Sequence, residues 1–188
     1  MNSLVYIIII IPFGFVLAGY ALSKIYVMRT TMKLSDQHME RLLALAKQSL
    51  ESLDVPIGAL LIYQNEIIGE GCNTVLHSSD AGGHAEINAL SDAIHRMGMK
   101  QFSALDRASL FLVTTFEPCL MCTGAFMNYN IKHIYFLKEK DVFFVTKEAL
   151  RFIRYYFHRG KMNHAGEQDA LFEQHPRYPH HKINVASE

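Results

Sequence analysis

The chain has 188 residues, 50% of them hydrophobic and 19% charged, enough for one well-buried domain and too few for two comfortable ones. Its 18 Lys and Arg balance 18 Asp and Glu, so it lacks the basic excess usual in nucleic-acid binders. Three cysteines, one of them (Cys72) without an obvious partner, exclude a disulfide framework and fit a reducing compartment.

The first element is apolar. Between Met1 and Ser23 there is no Asp, Glu, Lys or Arg, and the run from Leu4 to Leu22 would span about 28 Å as a helix, enough to cross a bilayer. Residues 1–23 are therefore expected to form a single-pass membrane anchor, with Pro12 tolerated inside it. A cleaved signal peptide is the rival reading, because Val16 and Ala18 make a small-residue cleavage pattern, but no basic residue precedes the run. Lys24, Arg29 and Lys33 follow it, and the positive-inside rule then places the C-terminal domain in the cytoplasm.

Residues 24–35 read as a linker, 36–174 as the folded domain, and 175–188 as a flexible, proline-marked tail. Ser35 is an N-cap candidate for a helix over Asp36 to Ser52, whose apolar stripe is Met39, Leu42, Leu43, Ala46 and Leu50. Gly58 to Tyr63 and Glu66 to Gly69 are β-rich runs joined at Gln64-Asn65, a hairpin pattern lacking the favoured glycine. A loop from Gly71 to Gly83 leads into a helix over His84 to Met97. Ser109 to Thr115 predicts a strand, Pro118 to Tyr129 a helix, Lys132 to Leu137 a strand, Val142 to Phe157 an aromatic-rich helix, and Gln168 to Gln174 a short one. This order predicts an α/β domain with helices on both faces of the sheet.

Two stretches carry chemistry: His84-Ala85-Glu86 and Pro118-Cys119-Leu120-Met121-Cys122. Cys119 and Cys122 are three apart at a helix start, so their sulfurs share one face in the turn where the helix dipole favours thiolates. His84 opens another helix after Gly82-Gly83. Three protein ligands leave one tetrahedral position open, the pattern of catalytic zinc rather than of a closed structural site. Glu86, two residues from His84, can stand beside the metal and move a proton without binding it. Alone, Cys-x-x-Cys would suit a redox pair and the histidine an ordinary surface or core role; jointly they read as a Zn²⁺ site, and His-x-Glu with Pro-Cys-x-x-Cys is a documented signature of zinc deaminases.

On these residues the chain resembles the cytidine and deoxycytidylate deaminase superfamily, and within it is most similar to the tRNA adenosine and guanine deaminase branch. The resemblance covers about Asp54 to Phe136 and rests on Val55-Pro56-Ile57-Gly58-Ala59, Gly69-Glu70-Gly71-Cys72-Asn73, His84 to Leu90 and Thr115 to Ala125 in the family's order and spacing. It implies a three-layer α-β-α fold with a mixed central sheet, here expected to follow the N-terminal transmembrane helix. It implies Zn²⁺ held by His84, Cys119 and Cys122, Glu86 as proton shuttle, Asn73 hydrogen-bonded to the substrate, and the Ala85 backbone against the bound base. The implied reaction is hydrolytic deamination by attack of zinc hydroxide on the amine-bearing ring carbon of a nucleobase, nucleoside or nucleotide, with adenine or guanine favoured and a homodimer typical. Deamination of adenosine to inosine in tRNA is the alternative, and a non-catalytic zinc-stabilised partner subunit the second.

The chain departs from the tRNA-acting members after the last strand, where they carry a glycine-rich, Asp-containing segment. Here Lys138-Glu139-Lys140-Asp141-Val142-Phe143-Phe144 stands without those glycines. Further on, Arg151, Arg154, Tyr155, Tyr156, His158 and Arg159 form a cluster suited to gripping single-stranded nucleic acid, or the solvated face of an amphipathic helix.

Overall fold

The structure is a computed structural model and describes Gly19, residues 33–160 and residues 165–174. The chain divides into two compact units, Met1–Asp36 and Gln37–Glu188, and the architecture below is that of the second, entered one residue into its first helix. The elements are α1 (Asp36–Glu51), β1 (Gly58–Tyr63), β2 (Glu66–Cys72), α2 (Ala85–Met97), α3 (Met99–Ser103), β3 (Leu110–Phe116), α4 (Leu120–Asn128), β4 (His133–Lys138), α5 (Val142–Phe157) and α6 (Ala165–Glu173). The strands form one mixed sheet in the order β2-β1-β3-β4. β1 runs antiparallel to both β2 and β3, and β3 runs parallel to β4.

The β1–β2 hairpin closes without glycine because Gln64 and Asn65 both take left-handed backbone angles, φ 49° and 69°, as a primed two-residue turn requires. The register shifts between Leu61 and Ile62, which pair with Gly69 and Ile67, so Ile68 is the extra residue of a bulge. β2 does not stop at Gly69 as expected; it runs on to Cys72, which pairs with Gly58. Gly69 and Gly71 are there for closeness, not as breakers. A Cβ on Gly71 would collide with the Ala85 carbonyl oxygen and the Ala89 N–H, so only glycine lets α2 lie this near the strand.

Side chains alternate across β1 and so assign its two faces. Gly58 packs under α1, where a Cβ would meet Leu42 and Ala46. On the other face Ala59 meets Ala85 and Ala89 of α2, and Leu61 and Leu112 join Leu90, Ala93, Cys122 and Phe126 of α2 and α4. With α1 on one side and α2 and α4 on the other, the domain has the expected three layers. The stripe of α1 is rotated from the expected one: His38, Leu42, Leu45, Ala46 and Ser49 are buried, whereas Leu43 and Leu50 are about half exposed, at 50% and 53%. Ser49 faces inward because its hydroxyl is used, accepting from the Asn73 N–H and donating to the Ile57 carbonyl.

α5 has the expected bounds, and its N-cap Asp141 accepts from the Phe144 N–H. None of its side chains is fully buried; along its outer part Phe152 packs on Tyr156 with ring centres 4.8 Å apart, and the Arg159 guanidinium lies 3.5 Å above the Tyr156 ring.

The expected transmembrane helix is corrected. Among the described residues no helix is long and apolar enough to cross a membrane. The longest, α1 and α5, have 16 residues each, about 24 Å against a hydrocarbon core of about 30 Å, and both carry charged side chains. The anchor expected over residues 1–23 lies, Gly19 apart, outside the described residues, as does the tail 175–188. Among the described residues the fold is the α/β domain, and the single-pass membrane location with a cytoplasmic domain goes no further.

Candidate metal centre and active site

Both motifs sit at helix starts on the same face of the sheet. His84 is the N-cap of α2, with extended backbone (φ −73°, ψ 145°), and Cys119 is the N-cap of α4 (φ −79°, ψ 171°). The expected helix from Pro118 thus starts two residues later, leaving Cys119 just outside the first turn and Cys122 within it. Asn88, on the next turn of α2 after His84, donates its amide to the Cys72 carbonyl at 2.8 Å and to the Thr74 hydroxyl at 3.0 Å, tying the helix to the end of β2.

The three expected ligands converge. Cys119 Sγ lies 3.6 Å from His84 Nδ1, Cys122 Sγ lies 3.6 Å from the same nitrogen, and the two sulfurs are 3.6 Å apart. Tetrahedral ligands at bonds of about 2.0–2.3 Å stand about 3.3–3.8 Å from one another, so this triangle has the edge that zinc needs. The donor set fits as well. The hydrogen bond from Cys122, opposed by burial, draws the Cys119 thiol down to about 5. That bond and burial push the Cys122 thiol far up. Two sulfurs this close share one proton, which is what a doubly charged, thiophilic cation displaces. His84, Cys119 and Cys122 are the group able to hold a metal among the described residues, and the cofactor they fit is zinc.

Glu86 lies beside this triangle. Its Oε2 is 3.6 Å from Cys122 Sγ, and the residue is only 4% exposed. Burial raises its carboxyl above the ordinary range, with the Cys119 charge adding to the rise and His84 opposing it. A cavity of about 330 Å³ opens here, lined by Val55, Ile57, Asn73, Leu76, Ala85 and Glu86 among others. The structure therefore brings together all six expected site residues: the ligand triangle, Glu86, and Asn73 with Ala85 on the cavity wall. A wider groove of about 630 Å³ runs along Leu120, Met121 and Met127 on α4 and does not include Glu86.

Three supporting residues were not anticipated. Asp54, 3% exposed, accepts from the N–H groups of Leu76 and His77 at 2.6 and 3.1 Å and from the Ser52 hydroxyl at 2.8 Å. It thereby pins the loop that forms one wall of the cavity. Ser49 holds the Asn73 backbone at 3.0 Å. Lys140 reaches the Pro118 carbonyl at 2.9 Å, next to Cys119. The only sequence signal for Asp54 is its place directly before Val55-Pro56-Ile57-Gly58-Ala59.

Residues 32–138 match the family profile described as the cytidine and deoxycytidylate deaminase zinc-binding region. The tRNA-specific adenosine deaminase of Buchnera aphidicola subsp. Schizaphis graminum is 41% identical over 86 residues, 46% of this chain and 54% of that protein. The tRNA-specific adenosine deaminase 2 of Xenopus laevis is 33% identical over 88 residues, 46% of this chain and 50% of that protein. The chain thus spans about half the length of these curated relatives. Among solved structures, guanine deaminase from Bacillus subtilis superposes with a TM-score of 0.55 at 22% identity, over 73% of this chain and 92% of that one, a likeness of fold.

Proposed function

The chain belongs to the cytidine and deoxycytidylate deaminase zinc-binding family, and from that premise we propose that it is a hydrolytic deaminase of a purine base, with adenosine in transfer RNA as its substrate. The observation that carries the deaminase reading is the position of Glu86: buried, 3.6 Å from a ligand sulfur, and on the wall of the same cavity as Asn73. A closed structural zinc site would have no use for a carboxylate there. Zinc, when bound, supplies a Lewis acid that lowers the pKa of water toward neutrality.

The chain's own residues do the rest. His84, Cys119 and Cys122 would hold the metal, and His84 and Glu86 line the cavity beside them. Glu86 takes a proton from the attacking water and delivers it to the departing amine, and burial raises its affinity for that proton. The Asn73 amide hydrogen-bonds the substrate, fixed by its backbone bonds to Ser49 and Ile57. The Ala85 backbone lies against the ring. Val55, Ile57 and Leu76 supply apolar walls on which the base can pack.

Transfer RNA is supported by the names of the curated relatives and by α5, whose exposed Tyr155, Tyr156 and Phe157 stand among Arg151, Arg154 and Arg159, a set suited to stacked single-stranded bases. A free purine such as guanine is the second reading, favoured by the balance of 18 basic against 18 acidic residues and by the missing glycines after β4. Pairing of two copies belongs to the same proposal; Leu120, Met121 and Met127 on α4, 46%, 43% and 73% exposed, offer an apolar face for it, and a purified protein that sediments as a monomer removes it.

The deciding experiment is ammonia release by the full chain from adenine, guanine, cytosine, their nucleosides and transfer RNA. Turnover on transfer RNA above all others supports the first reading, and turnover on free guanine the second. If wild type and Glu86→Ala each hold one zinc and are equally inert on every substrate, the chain is a zinc-stabilised partner subunit and the enzyme reading is lost.

A further inference from the structure

Lys140 stands just past β4, beyond the residues 32–138 that match the family profile. Its side chain is 4% exposed, yet it carries an ammonium. A buried cation is costly unless its donors are used, and here they are. Nζ donates to Glu148 Oε2 on α5 at 2.8 Å and to the Pro118 carbonyl at 2.9 Å, and it lies 5.3 Å from the centre of the Phe144 ring. The backbone takes part too: the Lys140 N–H donates to Glu117 Oε2 at 2.8 Å, and the Glu117 N–H to the Lys138 carbonyl at 2.9 Å.

Pro118 has no N–H, so its carbonyl is its one backbone hydrogen-bonding group, and Lys140 takes it. That carbonyl belongs to the peptide joining Pro118 to Cys119, whose plane sets the direction in which Cys119 leaves the chain. We infer that Lys140 is a positioning residue that holds Cys119 in its ligating orientation and, through Glu148, fixes the position of α5 on the metal loop. α5 has no fully buried side chain of its own, and the Lys140–Glu148 pair ties it to the residue before Cys119. Metal retention consequently depends on a helix that contributes no ligand. Groups that orient metal ligands without touching the metal are worth about 10- to 100-fold in metal affinity.

This inference rests on the zinc reading, and the test separates the two. Zinc affinity of the full chain is measured by competition with a colorimetric chelator at 25 °C, with circular dichroism as the check on folding and the absorption of the cobalt-substituted protein as the check on ligand geometry. Lys140→Met is expected to stay folded, to lose zinc affinity about tenfold and to shift the cobalt bands, while Lys140→Arg stays within about threefold of wild type. Glu148→Ala leaves the ammonium in place and frees α5, and is expected to weaken zinc severalfold; it decides the matter if Lys140→Met does not fold. A merely structural lysine would lower the melting temperature and leave affinity and cobalt spectrum unmoved. Wild-type zinc affinity and cobalt spectrum in whichever of the two variants fold overturn the clasp alone, whereas a wild-type chain that takes up no zinc overturns the reading of the centre along with it.

Discussion

Glu86 Oε2 and Cys122 Sγ stand 3.6 Å apart with both residues buried, so a carboxylate faces the metal triangle from the side on which the cavity opens. The arrangement separates holding from proton transfer. Glu86→Gln keeps the volume and removes the exchangeable proton, so zinc content should stay at one per chain while ammonia release falls by about 10²- to 10⁴-fold. Zinc analysis and single-turnover assays on the same preparation check this. A variant with more than a tenth of wild-type turnover would take the shuttle role from Glu86.

Removing a ligand should act on metal and fold together. Cys119→Ser replaces the sulfur held lowest in proton affinity, and zinc bound in excess over its dissociation constant contributes on the order of 3 kcal/mol or more to the folded state. For a chain of this size that corresponds to a melting temperature lower by about 5–10 °C. Full zinc occupancy with unchanged melting in Cys119→Ser would exclude Cys119 as a ligand.

The site was legible because its chemistry is local: His84 with Glu86, and Cys119 with Cys122, are spaced so that one helix start presents each pair, and tertiary structure had only to bring two starts together. α5 was legible to the residue because Asp141 caps it and no strand competes. What was not legible depends on contacts between distant segments. Lys140 meets Pro118 across 22 residues and Asp54 meets Leu76 across another 22, and neither partner advertises the other. The strand expected to end at Gly69 runs on to Cys72, and the approach of α2 to Gly69 and Gly71 depends on neither having a side chain. The stripe of α1 was misplaced because apolar periodicity cannot foresee that the Ser49 hydroxyl is needed inside.

Asp54 makes part of the stability of the domain depend on its carboxylate staying charged. Burial alone would raise its carboxyl, but the hydrogen bonds from the Leu76 N–H, the Ser52 hydroxyl and the His77 N–H outweigh that and hold it below the ordinary carboxylate range. A group whose proton affinity is lower folded than unfolded contributes stability that is complete above the unfolded pKa, about 3.9, and is lost as pH falls through the lower folded value. Asp54→Asn should therefore melt below wild type by a constant margin from pH 5 to 7, and the margin should close below about pH 4. Comparing the two proteins at each pH makes zinc loss in acid common to both. A margin that stayed constant down to pH 3 would mean that the carboxylate charge is not what pins Leu76 and His77.

Gly71→Ala tests whether the distance between β2 and α2 is what places His84 and Glu86. The added methyl would collide with the backbone of Ala85 and Ala89, which, unlike the end of a flexible side chain, cannot step aside. α2 must then move away from the sheet, carrying the two site residues that flank Ala85. Overpacking of this kind costs about 1–3 kcal/mol or more, a fall in melting temperature of at least about 3 °C, and deaminase activity should drop further than the fraction unfolded accounts for. Gly166→Ala, on α6, where nothing lies within reach of a new Cβ, is the control that should leave both unchanged. If Gly71→Ala melts like wild type and keeps full activity, the close approach of helix and strand is not what sets the geometry of the centre.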